Sequence, residues 1–290
     1  MQKPQSAQRI GELSLLAFTF FEGWFPVLTL LILQYLSPIY TYLLTVCFAS
    51  LTFLTVLIMQ GKQAQLVQFS AYRPMLLSAS LMSLAFIFIY VGLTWTSAGN
   101  MSILIFLQFF FSFVYFNVIG REPFSRQHLL GAFLMAIGAL IILFPENWTV
   151  NKGDLFIVMA SAIAPIANYY QKQARQQVSS STVLTFRSFF AIPVLYILAV
   201  IMETEPQWQD IKPVWIYIVI CGVLLMGLSK ILWLEGIHRI SITKASAMMA
   251  LIPVFTLFFS WLLFNTMPDT RQLMAIVPVI YGGYLLTHSV

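Results

Sequence analysis

Long apolar runs, separated by short polar segments, recur along the whole chain. Each run holds about 20 residues, which is long enough to cross a hydrocarbon layer of roughly 30 Å as a helix. The runs are continuous, whereas the strands of a transmembrane β-barrel alternate in polarity over about 10 residues. The pattern predicts an all-α polytopic membrane protein with ten transmembrane helices, at approximately 10–34, 38–60, 74–95, 98–119, 127–145, 154–176, 181–201, 213–236, 243–265 and 269–288.

The composition leads to the same class of protein. Of the 290 residues, 60% are hydrophobic and 9% are charged, and the mean hydropathy is +0.86. Soluble domains carry about 25% charged residues, so this chain has too little polar surface to cover a globule in water. The first run is too long for the apolar core of a signal peptide, and we expect it to remain as the first span. Cys47 and Cys221 fall inside predicted spans, without the spacing of a disulfide framework or a metal site.

The loop charges predict the orientation of the chain. With the N-terminus in the cytoplasm, ten lysines and arginines fall in cytoplasmic segments and three fall in external loops. Cytoplasmic loops of membrane proteins are enriched in these residues, so the bias predicts that both termini are cytoplasmic. It also accounts for the net charge of +5 without a nucleic-acid partner. The inside set is Lys3, Arg9, Lys62, Arg73, Arg121, Arg126, Lys172, Arg175, Arg239 and Lys244, and the outside set is Lys152, Lys212 and Arg271.

Matching landmarks indicate that a five-span unit occurs twice, over residues 1–147 and 148–290. The landmarks, in the same order in both halves, are Gly11-Glu12-Leu13 with Gly153-Asp154-Leu155, Arg73-Pro74 with Lys212-Pro213, and Pro123 with Pro268. Because five is an odd number, the second copy is predicted to be inverted relative to the first, with span 1 against span 6. Inverted repeats are typical of secondary transporters. A channel or a membrane anchor built by duplication is the alternative.

Several segments carry a resemblance to a known family. They are YVGLTWTSAGNMSILIFLQ (90–108), REP (121–123), GAFLMAIGALIIL (131–143) and, in the second half, LEGIHRISITKASAMMALIPVFTLFFSWLLF (234–264). With the five-plus-five organisation, the chain resembles the EamA-domain family of the drug/metabolite transporter superfamily over nearly its whole length.

The resemblance implies a ten-helix inverted-repeat fold that moves a small metabolite, often an amino acid, across the inner membrane. It also implies a central pocket between the halves, lined by aromatic residues of spans 1, 3, 4, 6, 8 and 9. The sequence departs from the family pattern at Gln108, where relatives usually have proline. It departs again at Met267, which stands where the loop pattern has an acidic residue.

Ionisable residues in the spans are the first candidates for a functional site. Such residues cost about 2.5–3.5 kcal/mol each on insertion scales, so they usually face a cavity or a partner. Glu22 lies near the centre of span 1. One interpretation is functional, with Glu22 as a contact for a substrate ammonium or as the carrier of a coupled proton. The other is structural, with Glu22 in an ion pair with Lys230 or Arg187. Lys230 either meets a substrate carboxylate or extends to the interface, and for Arg187 we favour the interface. Gly23 and Pro26 predict a hinge in span 1 or ordinary helix packing.

Uncharged polar and aromatic residues complete the predicted site. Gln108 and Asn168 lie at the depth of Glu22, and these amides and that of Asn100 either contact a substrate or join helices by hydrogen bonds. Tyr90 and Trp24 either stack on a substrate or anchor the protein at the interface. The predicted substrate-binding set is Glu22, Trp24, Tyr90, Asn100, Gln108, Asn168 and Lys230.

The sequence contains no phosphate-binding loop, metal-ligand cluster or nucleophile with a base at workable spacing. We therefore expect no enzyme, cofactor or metal. The first hypothesis is a secondary active transporter that exports a small polar metabolite, an amino acid or a related compound, across the inner membrane by alternating access. The alternatives are an importer or exchanger of a larger metabolite, such as an adenosyl compound, and a passive channel. Expected partners are the lipid bilayer, the substrate and a proton or counter-substrate, in a monomer or a homodimer.

Overall fold

The structure, a computed structural model, describes residues 5–120, 125–143, 151–239, 248–249 and 251–287, and its regular elements there are all helical. The α-helices are α1 (Gln5–Ile32), α2 (Pro38–Met59), α3 (Tyr72–Leu93), α4 (Ala98–Leu104), α5 (Leu107–Ser112), α6 (Arg126–Leu143), α7 (Lys152–Arg175), α8 (Ser180–Met202), α9 (Trp208–Ile211), α10 (Trp215–Ile220), α11 (Ser229–Arg239), α12 (Ile252–Phe264) and α13 (Thr270–Thr287). Two π-helical segments, Phe113–Ile119 and Cys221–Leu228, extend α5 and join α10 to α11. Two 3-10 turns, Gln63–Val67 and Phe69–Ala71, precede α3.

Seven helical stretches in the described parts of the chain are long and apolar enough to cross a membrane. They correspond to predicted spans 1 to 5, 7 and 8, and they agree with a multi-pass membrane protein. The helices at the other three predicted spans differ, because α7 carries charged residues at both ends, α12 has only 13 residues, and α13 begins with the polar residues Thr270, Arg271 and Gln272. The count of ten spans stays a prediction. Pro123, the boundary at 147/148 and residues 243–247 of span 9 lie outside the described residues.

Local sequence explains where several helices begin. The side chains of Asn151, Ser97 and Ser179 accept hydrogen bonds from backbone amides in the first turns of α7, α4 and α8. Pro38 opens α2, at a position where the missing N–H has no helical partner to lose. Pro26 lies inside α1, which continues as one helix from Gln5 to Ile32.

Gly23 determines how closely α1 approaches α12. A Cβ atom on Gly23 would lie 2.6 Å from the Cβ atom of Phe255, a distance at which one of the two helices would have to move. The Gly23 carbonyl oxygen accepts a hydrogen bond of 3.1 Å from Thr256 Oγ1. Of the two roles predicted for this glycine, the structure supports helix packing.

Helices of the first half, α1 to α6, pack on helices of the second half in a symmetric pattern. In the described residues, α1 packs on α11 and α12, while α3 packs on α7 and α8. Similarly, α2 packs on α8 and the segment Cys221–Leu228, α5 packs on α7, α4 on α12, and α6 on α13. If each helix is replaced by its counterpart in the other half, every one of these pairs becomes either itself or another pair of the same set. Instead of packing on α7, its counterpart, α1 faces α7 across a central cavity.

Glycines allow the closest crossings between the halves. A Cβ atom on Gly153 of α7 would lie 2.5 Å from the carbonyl oxygen of Gly92 in α3. A Cβ atom on Gly282 of α13 would lie 2.6 Å from the carbonyl oxygen of Gly131 in α6. Because a side chain cannot be placed so close to a backbone atom, these glycines fix the separation of the two helix pairs.

The helix ends lie at two opposite faces of the bundle. At one face, the Glu203 carboxylate near the end of α8 accepts a hydrogen bond of 2.7 Å from Ser37, where α1 and α2 meet. The helix α7 begins at this face, which carries Asp154. At the other face, Ser181 Oγ in the first turn of α8 donates a hydrogen bond of 2.8 Å to Gln60 Oε1 at the end of α2. We call these the Asp154 face and the Gln60 face.

Candidate functional site: a polar cavity between the halves

A cavity of about 190 Å³ lies between the two halves. Its walls come from α1, α3, α4 and α5 on one side and from α7, α8, α11 and the start of α12 on the other. Most of the wall is apolar, and its aromatic members are Phe18, Phe25, Phe86, Phe106 and Trp233. The larger polar side chains in the wall are Glu22, Gln108, Asn168, Gln171, Arg187 and Lys230. The structure therefore brings four of the seven predicted site residues together and adds Arg187 and Gln171.

An ion pair crosses the cavity wall between α1 and α11. Lys230 Nζ lies 2.5 Å from Glu22 Oε1, and Ser229 Oγ donates a second hydrogen bond of 2.9 Å to the same oxygen. The side chains of Lys230 and Glu22 are 17% and 16% exposed. The Lys230 ammonium also lies 5.7 Å from the ring centre of Phe18, within range of a cation–π interaction. Of the two cations considered from the sequence, the partner of Glu22 is Lys230.

Arg187 lines the same cavity from α8. It lies two turns into the helix, which places its Cα about 10 Å along the axis from the first residue. Among the described residues, its guanidinium group donates no hydrogen bond and has no carboxylate at salt-bridge distance. The interface location favoured from the sequence is therefore wrong, because the Arg187 side chain lines the cavity.

Gln108 and Asn168 connect the cavity to the Gln60 face. Both residues line the central cavity, and both also line a second, wider opening between α7 and the segment Phe113–Ile119. Lys172, one turn further along α7, lines that opening. The two amides therefore lie where a solute would pass between the cavity and this face.

Trp24 and Tyr90 do not line the cavity. The indole ring of Trp24 stacks on Phe259, with ring centres 4.1 Å apart. Tyr90 is fully buried, its hydroxyl is 2.9 Å from Thr45 Oγ1, and its ring stacks on Tyr42 with centres 4.9 Å apart. Both side chains are occupied by contacts between helices.

A polar cluster at the Asp154 face joins the two halves. The carboxylate of Asp154, 2% exposed, accepts hydrogen bonds from Thr96 Oγ1 and, at 3.4 Å, from Asn100 Nδ2. Asn100 Oδ1 accepts a hydrogen bond of 2.9 Å from Gln272 Nε2, which also donates to Ser97 Oγ at 3.1 Å. Because Thr96, Ser97 and Asn100 belong to the first half and the other two residues to the second, the cluster bridges the halves.

The sequence does not predict this cluster. Of the two roles expected for Asn100, substrate contact or hydrogen bonds between helices, the structure supports the second and places Asn100 in the bridge, outside the central cavity. Asp154 has a signal in the sequence, as the acidic residue in the first turn of span 6. Gln272 has no such signal in the sequence, because an amide side chain in the first turn of a helix is common and does not indicate a contact with the other half.

The cavity has the chemistry of a binding site. In the portions of the chain that the structure describes, no group of three His, Cys, Asp or Glu side chains could hold a metal ion. The cavity instead offers one carboxylate, two cations and three amides within an apolar, aromatic wall, which suits a small polar solute. Fold and site together define a multi-pass helical membrane protein with a solute-sized polar cavity between two similar halves.

Comparison with known proteins identifies the family. The model of the EamA-like transporter family matches residues 9–144 and again residues 151–288. The chain therefore belongs to the EamA-like transporter family, whose domain it contains twice, and the resemblance seen in the sequence is confirmed. The family assignment makes the chain a transporter.

Two related sequences and one solved structure are similar to this chain. The chain is similar to the uncharacterized transporters YoaV and YyaM of Bacillus subtilis (strain 168), at 21% and 24% identity. The two alignments cover 68% and 67% of this chain and 69% and 65% of the relatives. A solved crystal structure shares the fold, with a TM-score of 0.69 at 14% identity, over 98% of this chain and 97% of the other.

Proposed function

We propose that the chain is a secondary active transporter that exports a small polar metabolite, an amino acid or a related compound, by alternating access. In this proposal ten helices cross the inner membrane as two inverted five-helix repeats, residues 1–147 and 148–290. Both termini are cytoplasmic, and the Gln60 face is the cytoplasmic one. The transported solute is driven by a proton or by a counter-substrate.

The ion pair of Glu22 and Lys230 in the central cavity carries this proposal. Ionisable groups are expensive in a membrane protein and usually mark a substrate or ion pathway. Here the pair is formed between the two halves, where a relative movement of the halves changes its surroundings. A solute with one positive and one negative group can bind Glu22 and Lys230 in place of their contact with each other, so both charges stay compensated at little electrostatic cost.

The arrangement of the halves supports alternating access. The helix α1 ends at the Asp154 face and its counterpart α7 begins there, as inverted repeats require. Asn100, Asp154 and Gln272 hold the halves together at that face. At the Gln60 face, openings approach the cavity through Gln108 and Asn168. We infer that the bridge separates when the site opens to the other side.

The size of the cavity favours a small solute over an adenosyl compound. Its volume is about 190 Å³, whereas pockets for drug-sized ligands span about 300–1,000 Å³.

The described cations of the loops support the proposed orientation, in which the Gln60 face is cytoplasmic, because Lys62, Arg73 and Arg126 lie toward that face.

Counterflow in proteoliposomes tests the proposal. Purified protein is reconstituted with unlabelled solute inside, and uptake of the labelled solute is followed for a panel of amino acids and related acids. A carrier gives transient accumulation that depends on the internal solute, whereas a channel gives equilibration without it. Glu22→Gln removes the response if the ion pair is part of the site, and Lys212→Gln, at the exposed Asp154 face, is the matched control. Counterflow that is unaffected by Glu22→Gln would overturn the assignment of this site.

A further inference from the structure

The charges that line the cavity do not balance. Among its described lining residues, Glu22 supplies one negative charge, and Lys230 and Arg187 supply two positive charges. Glu22 and Lys230 lie 2.5 Å apart and compensate each other. The cavity therefore has a formal net charge of +1, which resides on Arg187.

Arg187 lacks a counter-charge in the part of the chain that the structure describes. A guanidinium group has five N–H donors and keeps its charge at every physiological pH. Leaving such a group without hydrogen bonds in a mostly apolar wall is costly. It lies in the wall of a solute cavity and has no described hydrogen-bond acceptor or carboxylate beside it, so an anionic solute can supply the acceptors. Carboxylates fit this group well, because two oxygens pair with two N–H donors.

One oxygen of Glu22 is also available. Both of its donors, Lys230 Nζ and Ser229 Oγ, bind Oε1. Within the described residues Oε2 has no donor. The cavity thus presents an acceptor for an ammonium group as well as a donor for a carboxylate, and the two lie on α1 and α8.

The approaches to the cavity have the same sign of charge as Arg187. The opening that shares two amide residues with the cavity is lined by Lys172 and by no described carboxylate. A neighbouring opening at the Gln60 face is lined by Lys62 and Arg175, again without a described carboxylate. At the Asp154 face, the described opening contains Asp269. Clefts lined by one sign of charge raise the local concentration of the opposite ion, so the Gln60 face attracts anions.

We propose that the cavity selects small solutes that carry a carboxylate and a net charge of −1, and that Arg187 is the residue that selects them. This inference rests on the proposed transport function. An acidic amino acid can contact all three charged side chains of the cavity. One carboxylate compensates Arg187, the other takes the place of Glu22 beside Lys230, and the ammonium group binds Glu22. A simple monocarboxylate meets Arg187 alone.

Binding and counterflow of a charge series test this inference with Arg187→Gln, Arg187→Lys and the surface control Arg73→Gln. The solutes are glutamate and aspartate, then lactate and pyruvate, then alanine, then lysine. Binding is measured on purified protein by titration calorimetry, so that it does not depend on transport. Folding of each variant is checked by size-exclusion profile and thermal unfolding.

We expect the parent protein and Arg73→Gln to bind the net anions more tightly than alanine or lysine. Arg187→Gln should weaken anion binding by about tenfold to a hundredfold, because a hydrogen-bonded charge pair is lost, and should weaken alanine binding less, because zwitterionic alanine does not compensate the net charge of the cavity. Arg187→Lys should recover part of the loss. If glutamate binds more tightly than lactate, acidic amino acids are the preferred class of solute. If the two bind equally tightly, simple carboxylates are that class.

Two results would overturn the inference. One is a parent protein that binds alanine or lysine as tightly as the anions. The other is a folded Arg187→Gln variant with an unchanged ratio of anion to alanine affinity. If Arg187→Gln does not fold, Arg187→Met decides, since it also removes the charge at a similar side-chain volume, and an unchanged ratio of anion to alanine affinity there contradicts the role of Arg187. Anion binding that depends on Arg187 without any counterflow supports the selectivity and instead contradicts transport.

Discussion

Removing one member of the Glu22–Lys230 pair should destabilise the protein. Lys230→Met leaves the Glu22 carboxylate in the cavity with Ser229 as its described donor. At the observed 2.5 Å, the gross attraction is about 7 kcal/mol at an effective dielectric constant of 20. Desolvation offsets most of this energy, and the partial exposure of both side chains screens the rest. We expect a loss of about 2–3 kcal/mol in the free energy of unfolding, below the 3–5 kcal/mol typical of fully buried pairs.

The double variant Glu22→Gln/Lys230→Met should recover most of that stability. It removes both charges at once, so no unpaired ion remains in the cavity. We expect a coupling energy of about 1–3 kcal/mol between the two sites, because their side chains are in direct contact. Transport should nevertheless stay lost, since the neutral pair cannot exchange with a charged solute. Recovery of the fold without recovery of transport would assign the charges to function.

Thermal unfolding in detergent, combined with proteoliposome counterflow, measures both quantities on the same preparations. Lys212→Met, which removes an exposed lysine near the start of α10, is the control for the loss of a positive charge and should leave both unchanged. The reasoning fails if the double variant is destabilised by the sum of its single variants. It also fails if Lys230→Met unfolds like the parent protein.

Three further predictions concern other parts of the molecule. Glu22→Gln alone should give a folded protein whose counterflow is lost or no longer depends on a pH gradient, and full activity with unchanged pH dependence would contradict this. Gly153→Ala should cost about 1–3 kcal/mol of stability in thermal unfolding, because its Cβ atom would lie 2.5 Å from a carbonyl oxygen of α3. Gly283→Ala, where the nearest atom is 3.9 Å away, should cost less than half as much. Asp154→Ala should weaken the bridge between the halves, so a cysteine placed at Met101 in a cysteine-free background should react faster with an impermeant maleimide added from the Asp154 face.

The sequence determined the depth of the site residues but not the direction of their side chains. Depth follows from the position along a helix, at 1.5 Å per residue. Direction depends on how the helix is rotated against helices far away in the chain. Tyr90 shows the difference, because its ring lies between α3 and α2, stacked on Tyr42, instead of facing the cavity.

The sequence also does not predict which residues far apart in the chain contact each other. Glu22 and Lys230 are 208 residues apart, and the choice between Lys230 and Arg187 depends on the packing of α1 against α11. The bridge at Asp154 is another such case, since Asn100 and Gln272 approach each other over 172 residues. No local pattern encodes these contacts, and they arise when the two halves assemble.

The internal repeat accounts for one part of the cavity wall. Aligning Gly11 with Gly153 pairs Phe18 with Ala160, Glu22 with Ala164, and Pro26 with Asn168, and all six residues line the cavity. The two copies thus supply equivalent walls with different chemistry. The position of Ala164 shows that such a wall can be built without a carboxylate. We therefore expect that this charge, which the common scaffold does not need and which Lys230 holds in the cavity, serves solute binding and not the fold. For this reason, neutralising the pair as a whole should spare the fold while it removes transport.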